Sequence, residues 1–538
     1  MLEYIIRNGN VIDGTGAKAF LADVGIANGK IAIIQEKIEE PAEREIEADG
    51  QYVTPGFVDI HRHADANIFL EEFGELEIRQ GLTTIINGNC GLSIVPCPEK
   101  HRKEILDFLK PIIGEVKEKK FDDYASYMEL VGEQKLPINL GMLIGNGTVR
   151  AAVKGYETGK LTKKELEEAR TYIRTSLEAG ALGISLGIVY APEYNYQLED
   201  FVEVLQPMKD FKVPLVTHIR GEGDIFKESI EEVIEIARRL GVPLHISHLK
   251  CIGRRNWGHG VNTVLGLIED ARKRGMDVTC DVYPYTAGST QLIQILPPEY
   301  LEGGFKEIVK RLEDKKKRRE LTEILKTPST SFENLVSSIG WENIRVTTVM
   351  TEKNKKYIGK SIEEIANIQN KNPYDCAYDL LIDENCNVAM VDFITSEEDI
   401  QRILKYPYTN VISDTVYPTG GVPHPRMYGT FPRILEKYVR EEKVLTIEEA
   451  VKKMTSLPIS VYSIENKGKL KEGMDADVLI FDLNKIHTNA NYDNPRQLAA
   501  GFSYVFVNGT LAVENDRYLG TKTGKIVKNN TKNQLFLQ

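Results

Sequence analysis

The feature that most constrains the fold is a repeated alternation of apolar and amphipathic segments in the middle of the chain. Apolar runs at 213–220, 242–249 and 276–283 are separated by stretches with helical periodicity at about 224–240 and 261–274. Strands and helices that alternate every ~30 residues are typical of a parallel sheet built from βα units. The sequence therefore predicts an α/β fold.

The extent of this alternation indicates which α/β fold to expect. It runs from about residue 55 to 457, long enough for a (β/α)8 TIM-like barrel, in which the chemistry lies at the carboxyl ends of the strands. A charged segment at 297–343 interrupts it and predicts a helical insertion. Segments 1–54 and 458–538 instead contain short β-rich runs next to Asn-Gly and Asp-Gly pairs, typical of hairpins. We expect both ends to form one small β-sandwich domain.

The charge balance limits the classes of partner. The 538-residue chain has 79 acidic and 68 basic residues and a net charge of −11, which disfavours binding to nucleic acid or to an anionic membrane. No segment has the ~18 uninterrupted apolar residues of a membrane span, and the first residues lack a secretory signal pattern. Six irregularly spaced cysteines do not indicate a disulfide framework. We expect a soluble cytoplasmic protein with reduced thiols, compatible with a homo-oligomer.

A His-x-His pair follows the first apolar run of the predicted barrel. In Pro-Gly-Phe-Val-Asp-Ile-His-Arg-His at 55–63, His61 and His63 lie two positions apart. Side chains two positions apart in an extended chain point the same way, so both imidazoles can reach one cation. The pair therefore predicts a metal site at the end of a strand.

Two more histidines and an aspartate also end apolar runs. His218 and His248 are one βα unit apart, so neighbouring strands would present them side by side, and Asp414 ends a later run. Buried ionisable groups are costly unless they are paired or bind a metal, so this set also indicates a metal site. His245 is three positions from His248 and should face the opposite side of the strand, in a structural role. The triplet at 413–415 is also compatible with a helix N-cap.

These residues, with several longer stretches, resemble the amidohydrolase superfamily and, within it, the N-acyl-D-amino-acid deacylases (D-aminoacylases). The resemblance covers nearly the whole chain. Its distinctive stretches are Asn-Gly-Asn-Cys-Gly-Leu-Ser at 87–93, Gly-Ala-Leu-Gly-Ile-Ser-Leu-Gly-Ile-Val-Tyr at 180–190, Thr-His-Ile-Arg-Gly-Glu at 217–222, Ser-His-Leu-Lys at 247–250, Tyr-Pro-Tyr-Thr-Ala-Gly-Ser-Thr at 283–290 and His-Pro-Arg-Met-Tyr-Gly-Thr-Phe-Pro-Arg at 424–433.

The resemblance implies a zinc-dependent hydrolase that cleaves N-acyl-D-amino acids to a carboxylate and a free D-amino acid. It implies that the main zinc is held by Cys90, His218 and His248. It also implies a second position, weakly occupied or empty, formed by His61, His63, the shared Cys90 and Asp414. Thiolate and imidazole are the ligands that zinc selects.

The same resemblance suggests roles in catalysis and substrate binding. Zinc lowers the pKa of water to about 7, and Asp414 would act first as general base and then as general acid. The substrate carries a free α-carboxylate, which needs cationic or hydrogen-bonding partners. The candidates for this contact are Lys250, Tyr283, Ser289 and Arg426.

Two departures from the family pattern leave the side-chain and acyl preferences open. Ala64 stands where relatives often have an acidic residue, and Asn146 stands where they often have histidine. The alternative activities are a cyclic-amide hydrolase of dihydroorotase or hydantoinase type and a deaminase. Cys90 and the His-Pro-Arg segment disfavour these alternatives. A non-catalytic binding or assembly protein is disfavoured because the ligand set is complete.

Overall fold

The computed structural model describes residues 1–116, 119–418 and 420–529. Its strands, in chain order, are β1 Leu2–Val11, β2 Phe20–Ala27, β3 Lys30–Gln35, β4 Ala42–Glu47, β5 Tyr52–Pro55, β6 Phe57–Asp59, β7 Leu82–Asn87, β8 Asn139–Met142, β9 Ile144–Gly145, β10 Ile184–Gly187, β11 Leu215–His218, β12 Leu244–Ile246, β13 Val278–Val282, β14 Ala287–Gln291, β15 Ile344–Thr348, β16 Ala389–Phe393, β17 Thr409–Val411, β18 Val478–Phe481, β19 Phe502–Val507, β20 Thr510–Glu514 and β21 Arg517–Tyr518.

The α-helices connect these strands. They are α1 Glu75–Ile78, α2 Arg102–Ile113, α3 Tyr124–Glu133, α4 Asn146–Lys154, α5 Lys163–Ala179, α6 Leu198–Val204, α7 Phe226–Leu240, α8 His259–Lys273, α9 Pro298–Leu301, α10 Gly304–Glu313, α11 Lys315–Leu325, α12 Leu335–Ile339, α13 Ile362–Gln369, α14 Pro373–Asp383, α15 Glu397–Lys405, α16 Arg426–Arg433, α17 Ile447–Met454 and α18 Ser456–Val461. No helix in the part of the chain that the structure describes is long and apolar enough to cross a membrane.

Parallel strands form a closed barrel in the middle of the molecule. β6, β7 and β8 pair in one ladder, and β9, β10, β11, β12, β13 and β17 pair in another. Only Leu143 separates β8 from β9, so these two ladders are continuous. A parallel bridge between Arg62 and Thr415 joins the ends of β6 and β17 and closes the ring. All residues of β7 and β11 are buried, as expected for strands covered on both faces.

A buried arginine links the first and last barrel strands. Arg62 is fully buried, and its guanidinium contacts the carboxylates of Asp59 at 3.1 Å and Glu77 at 2.8 Å. It also donates to the hydroxyl of Tyr417 at 2.6 Å and to that of Ser413 at 3.3 Å. Asp59 and Glu77 lie on one side of the barrel closure, and Ser413 and Tyr417 lie on the other. The hydrogen bonds of Arg62 therefore hold together the strand ends next to His61, His63 and Asp414.

Replacing Arg62 with methionine is expected to destabilise the fold by about 3–5 kcal/mol, because Asp59 and Glu77 would keep their buried charges without a cationic partner. The loss is measured as a fall in the Tm of the variant. Arg238→Met is the matched control, since Arg238 forms a surface pair with Glu235 and such pairs contribute little. Equal Tm values for wild type and Arg62→Met would contradict a stabilising role for the network.

The two ends of the chain form a separate sheet, in which most pairs are antiparallel and β1 pairs in parallel with β4 and β5. A nine-stranded sheet contains β1 to β5 from the N-terminal end and β18 to β21 from the C-terminal end, with β5 paired to β18. Ile6, Val24, Val478 and Phe506 share one apolar cluster. The predicted α/β fold, with a (β/α)8 TIM-like barrel, a small sandwich from both termini and a helical insertion, is confirmed. The boundaries 1–54 with 458–538, and 55–457, stay a prediction.

The insertion is longer than the charged segment at 297–343. The chain leaves the barrel after β13 and returns at β17, and this excursion contains α9 to α12 as well as an antiparallel sheet in the order β14, β16, β15. Sequence analysis did not identify this sheet. β14 has the sequence Ala-Gly-Ser-Thr-Gln, which has low β-propensity, and it pairs with β16 almost a hundred residues later.

Candidate metal centre

The predicted metal ligands meet at the carboxyl ends of the barrel strands. His218 is the last residue of β11, and each of the other five follows the end of its strand by two to four residues. All of them are buried. The residues brought together in this way are His61, His63, Cys90, His218, His248 and Asp414.

Cys90 lies at the centre of this cluster. Its Sγ is 3.2 Å from Nε2 of His61 and 3.5 Å from Nε2 of His248. Two groups of donor atoms share this sulfur, and within each group the atoms lie within 4.8 Å of one another: His61, His63 and Cys90 in one, and Cys90, His218 and His248 in the other. Each group can therefore hold a metal ion, with Cys90 common to both.

Asp414 faces one of the two groups. Its Oδ1 lies 3.4 Å from Nε2 of His61 and 3.5 Å from Nε2 of His63. Its Oδ2 forms an ion pair of 2.8 Å with Arg426. The helix nearest after it, α16, begins twelve residues later, so the N-cap alternative is wrong. One carboxylate oxygen thus faces the imidazoles while the other is held by a guanidinium.

The backbone is strained at three of these positions. Cys90, His248 and Asp414 all have positive φ values, of 55°, 35° and 50°, a region that non-glycine residues rarely occupy. Such strain persists only where the surrounding structure enforces it, and it is concentrated at functional sites. Here Gly187 packs against the Cys90 loop so closely that a Cβ would lie 1.9 Å from the Cys90 carbonyl oxygen.

The electrostatic surroundings keep the thiol and the carboxylate ionised. Burial alone would raise the pKa of Cys90, but the charge of His61 and the hydrogen bonds from His218 and His248 hold that pKa well below its usual range. Burial likewise opposes ionisation of Asp414, yet Arg426 and His61 hold its pKa well below the usual value. A thiolate is the form of cysteine that binds metals.

Two carboxylates that sequence analysis did not identify orient the ligand histidines. Glu222 lies 3.0 Å from Nδ1 of His248 and accepts a hydrogen bond of 2.7 Å from Lys250. Asp281 accepts a hydrogen bond from the backbone N–H of His248 and is 3.8 Å from Nδ1 of His61. Carboxylates in this position fix the ring orientation of metal-binding imidazoles. Asp281 lies inside β13, one residue before its end, and a single acidic residue within a buried strand was the one available signal for it.

His245 supports Asp281 from behind. Its Nε2 is 2.7 Å from Oδ2 of Asp281 and its Nδ1 is 2.7 Å from the hydroxyl of Thr279. It is fully buried and outside both donor groups. The structural role predicted for His245 therefore agrees with its position.

Of the four residues predicted to contact substrate, two line a cavity and two lie behind its wall. Lys250 and Ser289 line this cavity, which lies above the metal-binding groups. Tyr283 lies behind them, with its ring 4.7 Å from the guanidinium carbon of Arg426 and 5.8 Å from Nζ of Lys250. Within the described residues, the Tyr283 hydroxyl and the Arg426 Nε are buried without a hydrogen-bond partner. Unpaired buried donors next to a cavity indicate a site for an anionic group.

The chain is similar to known proteins over nearly its full length. A model of the amidohydrolase family matches residues 44–513. D-aminoacylase from Alcaligenes xylosoxydans xylosoxydans is 30% identical over 98% of this chain and 97% of its own length. N-acyl-D-glutamate deacylase from the same organism is 32% identical, over 94% of this chain and 93% of its own.

A solved structure extends this similarity to the fold. N-acyl-D-glutamate deacylase from Bordetella bronchiseptica, complexed with zinc and a phosphonate that mimics the tetrahedral intermediate, superposes with a TM-score of 0.81 at 29% identity. The alignment covers 98% of this chain and 99% of that one. The protein therefore belongs to the amidohydrolase family and, within it, to the group of the N-acyl-D-amino-acid deacylases.

Proposed function

We propose that this protein is a zinc-dependent deacylase that hydrolyses N-acyl-D-amino acids to a carboxylate and a free D-amino acid. The observation that carries the proposal is the position of Cys90, one buried thiol shared by two histidine groups beside Asp414. The relatives are named for this chemistry, D-aminoacylase and N-acyl-D-glutamate deacylase. These names also supply the D configuration, which no single residue of this chain specifies.

The donor atoms fit zinc. Thiolate and imidazole ligands at about 2.3 and 2.0 Å from a tetrahedral ion lie about 3.5 Å apart. The sulfur of Cys90 is 3.2 and 3.5 Å from the facing nitrogens of His61 and His248. We assign Cys90, His218 and His248 to a tightly held zinc. His61, His63 and Asp414, with Cys90 shared, would form a second and weaker position.

Asp414 has the geometry of a proton carrier. Zinc bound here supplies Lewis acidity, which makes water nucleophilic at neutral pH and polarises an amide carbonyl. The Asp414 carboxylate takes a proton from the attacking water and then donates it to the amide nitrogen as the C–N bond breaks. Arg426 holds the other oxygen at 2.8 Å, so the carboxylate keeps a fixed orientation. The products are a carboxylic acid and an amine.

The cavity residues position the substrate. The α-carboxylate of an N-acyl amino acid is an anion, and the donors that suit it are Lys250 in the cavity wall and Arg426 with the Tyr283 hydroxyl just behind that wall. Ser289 lies on the same wall. Glu222 holds Lys250 at 2.7 Å, so the ammonium is already ordered before substrate arrives.

The test combines metal content with amine release. We expect protein purified without chelator to contain zinc near one per chain, and to release amine from N-acetyl-D-amino acids but not from their L enantiomers. Hydantoins and dihydroorotate serve as controls for the alternative activities. Hydrolysis of these cyclic amides, with no amine release from any N-acetyl pair, would show a cyclic-amide hydrolase and not a deacylase. Protein that contains no metal would contradict the assignment of the metal centre.

We also propose that the protein acts in the cytoplasm. All six cysteines are unpaired and buried, and reduced thiols are the rule in that compartment. Cys90 in particular has to stay reduced to bind a metal. Formation of a homo-oligomer remains a prediction.

A further inference from the structure

The loop that carries Cys90, residues 88–93, packs against the ends of two neighbouring barrel strands, β9 and β10. A Cβ on Gly187, at the end of β10, would lie 1.9 Å from the Cys90 carbonyl oxygen. A Cβ on Gly145, at the end of β9, would lie 2.4 Å from the carbonyl oxygen of Gly91. Backbone approaches this close require glycine, because any side chain would collide. The position of the Cys90 sulfur therefore depends on how these strand ends are held.

One buried carboxyl group connects the two strand ends. Glu193 follows β10 and is 1% exposed. Its Oε2 accepts a hydrogen bond of 2.7 Å from the backbone N–H of Gly187. Its Oε1 accepts another of 2.7 Å from the side-chain amide of Asn146, which follows β9 and begins α4. Asn146 is also a position at which this chain departs from the family pattern. Glu193 and Asn146 thus form a brace between the ends of β9 and β10.

The brace lies directly against the Cys90 loop. A Cβ on Gly91, the residue after Cys90, would be 2.1 Å from Oε2 of Glu193 and 2.6 Å from the backbone nitrogen of Gly187. The carbonyl oxygen of Gly91 also accepts a hydrogen bond of 3.0 Å from the backbone N–H of Thr148 in α4. Gly91 has a φ of 68°, a left-handed conformation that glycine adopts readily. The carboxyl group of Glu193 therefore occupies the space into which the loop would otherwise move.

The amide of Asn146 suits either protonation state of this carboxyl group. Burial raises the pKa of Glu193 to about 7, so both forms are populated near neutral pH. The Oδ1 of Asn146 is buried and has no hydrogen-bond partner among the described residues. A half-turn of the amide would present Oδ1 to a proton on Glu193 and keep the hydrogen bond. The brace therefore depends on hydrogen bonds and shape, and not on a full negative charge.

We propose that Glu193 and Asn146 are positioning residues that fix the Cys90 sulfur between the two donor groups. The inference rests on the metal centre of the proposed function. Metal–ligand distances vary by only about 0.2 Å, and Cys90 belongs to both donor groups, so a small shift of its loop weakens both positions. Partners that orient a metal ligand typically contribute about 10- to 100-fold to metal affinity.

The test measures metal binding by the folded enzyme. Glu193→Ala removes both hydrogen bonds of the brace, and we expect its zinc affinity, measured by competition with a chelator, to fall by at least about tenfold. The same variant loaded with Co²⁺ should show a weaker sulfur-to-cobalt charge-transfer absorption per bound ion, because the Cys90 thiolate is displaced. Glu193→Gln should keep both wild-type values, because its amide can donate to Oδ1 of Asn146 while its carbonyl oxygen accepts from Gly187.

Glu384→Ala is the matched control. Glu384 is also a buried glutamate, and it accepts hydrogen bonds from the side-chain amide of Asn354 at 2.6 Å and from the backbone N–H of Thr351 at 2.9 Å. It lies in the insertion and outside both donor groups, so its loss should lower the Tm without changing zinc affinity or the cobalt absorption. Asn146→Ala removes one hydrogen bond of the brace and should lower zinc affinity several-fold. This second variant decides the question if Glu193→Ala does not fold.

Wild-type zinc affinity and cobalt absorption in Glu193→Ala and Asn146→Ala, even with a lower Tm, would overturn the inference, because the brace would then only stabilise the fold. An equal loss of zinc affinity in Glu384→Ala would also overturn it, since the loss would reflect general destabilisation. A loss in Glu193→Gln as large as in Glu193→Ala would contradict a brace made of hydrogen bonds. Wild-type protein that binds zinc but releases no amine would overturn only the deacylase function, and wild-type protein that binds no zinc would overturn both proposals.

Discussion

Cys90→Ser is expected to remove zinc from the protein and with it nearly all turnover. The Cys90 sulfur belongs to both donor groups, so this one change removes a ligand from each of them. A serine hydroxyl does not ionise near neutral pH, whereas the surroundings of Cys90 hold its pKa well below the usual value of a thiol. We expect zinc affinity to fall by at least about 100-fold, more than the 10- to 100-fold typical of losing a residue that only orients a ligand.

The measurement is zinc per chain after dialysis against a weak chelator, together with amine release. Cys97→Ser is the matched control, since Cys97 is also fully buried but belongs to neither donor group. It should retain zinc at the wild-type ratio. Full zinc content in Cys90→Ser would show that the histidines alone hold the metal, and the assignment of Cys90 would then be wrong.

Asp414→Asn is expected to keep zinc and lose turnover by about 10²- to 10⁴-fold, the usual contribution of a general acid–base group. Asparagine has the same shape and tolerates the positive φ of this position better than most residues, so the fold should persist. The asparagine side chain cannot take up a proton from water, because its amide is not basic. The ligands proposed for the tightly held zinc are Cys90, His218 and His248, which this change leaves intact.

Zinc content, kcat and KM are measured together for this variant. Asp379→Asn is the control, because Asp379 also pairs with an arginine, Arg318 at 2.6 Å, but on the outside of the insertion. It should have wild-type kinetics. If Asp414→Asn retained near wild-type kcat with zinc bound, proton transfer by Asp414 would be excluded.

The sequence determined the barrel and the identity of most of the candidate site. Parallel strands covered on both faces require continuous apolar runs, and such runs are visible without any tertiary information. His61, His63, His218 and Asp414 could be identified because each stands where an apolar run ends, and the ends of parallel strands meet at one edge. Cys90 is different: an isolated buried cysteine is usually only packed, and only the resemblance to a family gave it a role.

Tertiary structure alone decided which charges meet. Glu222 and Asp281 orient the histidines only because parallel pairing places β11, β12 and β13 side by side. The sequence distance between Arg62 and Tyr417 is 355 residues, and no local pattern indicates that they touch. The cavity wall that carries Ser289 depends on β14 pairing with β16 across the insertion.

One physical cause separates what the sequence predicts from what only the tertiary structure decides. Periodicity and strand ends are local properties, so hydrophobic patterning and backbone geometry encode them within about ten residues. Charge pairing inside a protein depends on distances between segments far apart in sequence, and a buried charge is tolerated only where its partner arrives from elsewhere. The sequence thus specifies the barrel and the strand ends that carry the donor atoms, while the packed structure determines which charged groups meet around those donor atoms.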